Sequence, residues 1–67
     1  MSKVKVPKAV FDGLEAVRRS GLTNMLDRPV VAELAEEFGF EEAALWVNAH
    51  RREFAEGIFL GFAAEEK

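Results

Sequence analysis

The sequence predicts an all-α protein, folded as a compact bundle of three to four short helices. Three observations point to this class: apolar residues recur at helical spacing, glycines follow these stretches, and no strand-like alternation of useful length occurs. A chain of 67 residues forms one domain at most. We therefore expect a single small helical domain over residues 1–67, with frayed ends at about 1–6 and 64–67.

The first helix is predicted over about residues 7–20, where apolar residues recur at helical spacing. Pro7 suits the first helical position, because the N–H that proline lacks would be unpaired there. Gly21 suits the left-handed residue that ends a helix, and we expect Leu22 to fold back onto Val17.

A connector over residues 22–28 follows, and its Thr, Asn and Asp residues favour turns and caps. Pro29 suits the start of helix two, whose apolar stripe runs to Phe38. Gly39 is expected to end this helix, with Phe40 placed to pack backwards.

A third helix is expected from about Glu41, because two glutamates in its first turn complement the helix dipole. Asn and His are poor helix formers, so the stretch from Asn48 to His50 predicts a break before a fourth helix. One long helix over residues 41–63 is the alternative.

The aromatic content is high for so short a chain, with six Phe and one Trp. Each such side chain has a large apolar surface, so we expect part of the set to form a surface patch for a partner. An apolar stripe on a helix is more often core, yet aromatic residues are also favoured at interface centres. The candidate interface comprises Trp46, Phe54, Ile58, Phe59 and Phe62.

Two glycines, Gly57 and Gly61, stand four residues apart near the end of the fourth helix. Each costs about 1 kcal/mol relative to alanine inside a helix. Their spacing therefore predicts tight packing, within the chain or between chains, with helix curvature or fraying as the alternative.

An acidic patch is predicted around the turn between helices two and three, comprising Glu36, Glu37, Glu41 and Glu42. The first two fall in a last helical turn, where the dipole disfavours anions. A local rule broken in this way can mark a functional site, such as one that meets a basic patch on a partner. The carboxylates could also bind a divalent cation, but their spacing resembles no known loop of calcium ligands. The alternative is a solvated, charged surface.

A helix-turn-helix unit over residues 30–50 is the alternative function, suggested by the spacing of Ala35, Gly39 and Leu45. The second helix of such a unit places its N-terminal residues against DNA bases. Here that helix begins with glutamates, whereas phosphate contacts demand Lys or Arg. Nucleic acid is therefore a disfavoured partner.

Catalysis, cofactors and metal sites find little support. The chain has no cysteine and a single histidine, His50, which we expect to be a capping or surface residue. There is no serine–histidine–acid set and no glycine-rich phosphate loop. No apolar run is long enough to cross a bilayer, and the first residues lack the apolar stretch of a signal peptide. We expect a cytoplasmic, non-enzymatic protein without cofactor or metal.

Charge is unevenly distributed, with a balance of +3 over residues 1–28 and −6 over residues 29–67. Such asymmetry can steer a partner or a head-to-tail contact, although an ordinary solvated surface explains it as well.

Several segments resemble small proteins from phages and prophages of Gram-positive bacteria. The segment Ser20–Arg28, the pair Gly39-Phe40, the stretch Asn48–Arg52 and the ending Gly57–Gly61 are similar to that family. Its function is unknown, so the resemblance implies a phage-related origin and a bacterial cytoplasm but assigns no activity or site residue.

These observations together predict a non-catalytic protein–protein interaction module. We expect it to self-associate, because so small a domain has a marginal core and no disulfide. A host or phage protein is the other expected partner.

Overall fold

The computed structural model describes residues 2–65, which contain four helices and two very short strands. In chain order the elements are β1 (Val4–Val6), α1 (Lys8–Ser20), α2 (Arg28–Glu37), α3 (Glu41–Ala49), α4 (Arg51–Leu60) and β2 (Phe62–Ala64). The predicted all-α class is confirmed, with the helices forming a small compact bundle.

The core lies where α1 packs against α2 and α3. From α1 it receives Val10, Leu14 and Val17, which lie one helical turn apart and are almost fully buried. Gly13 allows α3 to approach closely, because a Cβ at this position would stand 2.5 Å from the Cβ of Ala43. Any side chain at position 13 would therefore push the two helices apart.

The predicted helix ends at two glycines are confirmed. Gly21 has a left-handed φ of 68°, and its N–H donates to the carbonyl of Arg18. Gly39 has a φ of 90°, and the N–H groups of Gly39 and Phe40 donate to the carbonyls of Glu36 and Ala35. This pair of bonds is the Schellman arrangement that ends a helix.

Two details at the ends of α1 differ from expectation. Pro7 precedes the helix as its N-cap and does not occupy the first helical position. Leu22 is 66% exposed, so the expected packing onto Val17 is wrong. The hydroxyl of Ser20 accepts a hydrogen bond from the N–H of Leu22. This bond holds the chain in a turn that leads away from α1.

The predicted break between α3 and α4 is confirmed and lies at His50, which has non-helical dihedral angles. Its imidazole stacks on the indole of Trp46, with ring centroids 4.9 Å apart. Its Nδ1 lies 3.1 Å from the Trp46 carbonyl oxygen, an atom that can only accept a hydrogen bond. His50 therefore caps α3 while the chain turns into α4.

The strands β1 and β2 include residues 4–6 and residue 64, where frayed ends were expected. The strands β1 and β2 pair in parallel, with Val4 opposite Phe62 and Val6 opposite Ala64. Val6 is fully buried in the core. Backbone pairing and this buried side chain hold both ends against the bundle. Residues 1, 66 and 67, for which fraying was also expected, lie outside the described residues.

Within residues 2–65, each helix is too short or too polar to cross a lipid bilayer.

Candidate protein-binding surface

An exposed apolar groove runs beside α4, and we call it the α4 groove. It has a volume of about 250 Å³ and is lined by Leu26, Arg28, Arg51, Phe54, Ala55, Ile58 and Phe59. Two large apolar side chains of this set face solvent, since Phe59 is 86% exposed and Leu26 is 67% exposed. Such exposure of neighbouring apolar residues is typical of a site that another molecule covers.

The exposure of Phe59 follows from its place on α4. Phe54 and Gly57 are buried and define the side of the helix that faces the core. Successive residues turn by about 100°, so Phe59 lies about 140° around the helix from Phe54. The core therefore cannot reach Phe59, and Ile58, which stands between the two directions, is half-buried.

Leu26 reaches the same groove from the connector between α1 and α2. The side-chain oxygen of Asn24 accepts a hydrogen bond of 2.8 Å from the N–H of Leu26. The Asn24 carbonyl accepts a second bond from the N–H of Asp27. This turn holds Leu26 toward solvent, and sequence reasoning missed it because only the turn-forming residues around it were recognised.

Two arginines give the rim of the α4 groove a positive charge. Arg28 begins α2, and its guanidinium donates a 2.8 Å hydrogen bond to the side-chain oxygen of Asn48. Arg51 is exposed in the first turn of α4. The groove thus combines an apolar lining with cations at its edge.

The residues of the candidate interface predicted from sequence lie in different environments. Phe54 lines the α4 groove but is only 3% exposed and belongs to the core. Trp46 and Phe62 are half-buried and pack against that core. The Phe62 ring lies 6.1 Å from the Trp46 ring and 5.9 Å from the Phe54 ring, between centroids. Of the predicted set, Phe59 lines the groove and is exposed, whereas Ile58 lines it and is half-buried.

Gly57 and Gly61 have different structural roles. The ring of Phe62 fills the space that a Cβ on Gly57 would occupy, so the predicted tight packing is confirmed there, within the chain. Gly61 follows the end of α4 with a φ of 95° and turns the chain into β2. The two glycines therefore do not form a shared face for a second helix.

The predicted acidic patch borders a second groove, between α2 and α3, of about 390 Å³. Glu36 and Glu41 line it together with Glu33, which sequence reasoning missed, whereas Glu37 and Glu42 are exposed outside it. Within residues 2–65, none of these carboxylates has an ion-pair partner. All of these carboxylates are exposed to solvent.

The turn between α2 and α3 contains the spacing that suggested a helix-turn-helix unit. Ala35 is buried and Gly39 forms the turn, but Leu45 is 70% exposed and is not part of the core. The exposed face of α3 begins with Glu41 and Glu42 and carries no cation. Such a surface repels the phosphates that a recognition helix must approach.

Among residues 2–65, ion pairs occur along α1, between Lys8 and Asp12 and between Glu15 and both Arg18 and Arg19. A hydrogen bond to Glu15 raises the pKa of the Arg18 guanidinium, and both residues lie on α1. Within residues 2–65, no three His, Asp or Glu side chains come close enough together to hold a metal ion.

The chain belongs to a family described as a domain of unknown function, DUF5049, whose model matches residues 7–61. No curated protein and no solved structure matches the chain.

Proposed function

We propose that this member of the DUF5049 family is a non-catalytic interaction module that binds protein through the α4 groove, its own copies included. The exposure of Phe59 carries the proposal, because it leaves a phenylalanine side chain in water beside an apolar groove. Burying such a ring against a partner stabilises a complex by about 1.5–3 kcal/mol. Aromatic residues at the centre of an interface commonly supply much of its binding energy.

The setting we propose is the cytoplasm of a bacterial host, with the gene carried by a phage or prophage. The resemblance of residues 20–28 to small phage proteins supports this origin. A host or phage protein is then the natural partner besides a second copy of the chain.

The proposal is tested by giving Phe59 a charge. Phe59→Lys should keep the fold, because its side chain lies in solvent and a cation suits the last turn of a helix. Self-association measured by sedimentation, and capture of host or phage proteins on immobilised chain, should both fall by tenfold or more.

The matched control is Leu45→Lys, which changes another exposed apolar residue on a helix, outside the α4 groove. This variant should behave as the unmodified chain does. Unchanged assembly and capture after Phe59→Lys, with helicity intact by circular dichroism, would overturn the proposal.

A further inference from the structure

We infer that the α4 groove binds the α4 helix of a second copy, with the two helices antiparallel and related by a two-fold axis near Ala55. This inference rests on the proposed function and names the partner of the same groove. It follows from the order of side chains along the exposed face of α4.

The first step is the row formed by Arg51, Ala55 and Phe59, which are four residues apart and therefore share one face of α4. All three are exposed. A two-fold axis at Ala55 places each end of this row opposite the other end in the second copy. Phe59 then lies over Arg51 of the second copy, and the same contact occurs twice.

The contact between Phe59 and Arg51 of the second copy is chemically favourable. A guanidinium is attracted to the face of an aromatic ring, and Phe59 offers such a face to solvent. The apolar lining of the groove next to Arg51 includes Leu26, which is also exposed and would be covered by the incoming ring. The small side chain of Ala55 lets the helices approach closely at the axis.

A second observation concerns Arg52 and Glu56, which lie beside this row on the side of α4 that faces away from the core. They are also four residues apart, and both are exposed. Within residues 2–65, neither of them takes part in an ion pair. An antiparallel pairing about Ala55 brings Arg52 near Glu56 of the second copy, offset by about 3 Å along the helix axis, and the same approach occurs twice. The long arginine side chain spans this offset. A parallel pairing would bring like charges together, so the charge pattern selects the antiparallel one.

The contact is thus self-complementary, as an interface across a two-fold axis must be. It closes on itself and therefore produces a dimer. Such an association also adds buried apolar area to a domain whose own core is small.

The test uses two charge reversals, Arg52→Glu and Glu56→Arg. Alone, each places like charges opposite each other at both contacts, and the dissociation constant of the dimer should rise on the order of tenfold. An equimolar mixture of the two variants places opposite charges together again. Sedimentation of that mixture should show a heterodimer as stable as the original dimer.

Mixing the two variants restores opposite charges between copies but changes no charge within either helix. Recovery of the dimer in the mixture therefore reports contacts between copies. If the single variants dimerise as the unmodified chain does, or the mixture fails to restore the dimer, the antiparallel pairing is wrong. A Phe59-dependent dimer would in that case still support the proposed function. A chain that stays monomeric at every concentration but captures another protein through Phe59 would overturn the pairing alone.

Discussion

The ring of Phe62 occupies the space beside Gly57 that a side chain at that position would fill. Phe62 follows the turn at Gly61 and folds back onto α4, where it meets Phe54 and Trp46. A glycine inside a helix is thus explained by a contact within the chain. The contact joins β2 to the buried side of α4.

Gly57→Ala should destabilise the protein by about 1–3 kcal/mol, because the added methyl group overlaps the Phe62 ring and forces it to move. Helix propensity alone predicts the opposite, a gain of about 1 kcal/mol. Urea unfolding followed by circular dichroism measures the difference. Glu53→Ala, an exposed change in the first turn of the same helix, should cost less than about 1 kcal/mol, the size of its favourable interaction with the helix dipole. A more stable Gly57→Ala protein would contradict the packing described.

Val6→Ala should lower the free energy of unfolding by about 2 kcal/mol, since two buried methyl groups are lost and a cavity remains. Lys5→Ala, which changes the exposed neighbour in the same strand, should have little effect. Both are compared by urea unfolding. Equal and small effects at the two positions would mean that β1 is not held against the core.

Glu36→Lys should stabilise the protein by about 0.5–1 kcal/mol. Glu36 lies in the last turn of α2, which contains no basic residue, and a cation is favoured at that end of a helix. The gain should shrink at high salt because the groove is open to solvent. Thermal unfolding at low and high ionic strength measures it. A loss of stability would show that the carboxylate makes a favourable contact.

The helix boundaries could be predicted from sequence because their signals are local. Gly21 and Gly39 supply the left-handed conformation within a few residues of the helix they end. The break at His50 follows a short run of weak helix formers. Each signal acts over about one helical turn and requires no knowledge of the rest of the chain.

The strand pair and the groove depend on contacts between distant segments. β1 and β2 have three residues each and come from opposite ends of the chain, so neither shows a period of its own. Phe62 fitted the helical spacing of Phe54 and Ile58, but Gly61 ends that helix and places Phe62 in β2. Leu26 reaches the α4 groove only through the tertiary arrangement.

The most direct test of self-binding through α4 is cross-linking at a single introduced cysteine, because the natural chain contains none. Ala55→Cys places a thiol at the proposed two-fold axis, where the two Cα atoms should approach to about 4.4–6.8 Å. Ala49→Cys is the control, another exposed alanine, at the end of α3. The measurement is the fraction of covalent dimer under mild oxidation, on a non-reducing gel. We predict rapid dimer formation for Ala55→Cys alone. Equal cross-linking of both variants, or none at position 55, would contradict self-binding through this face.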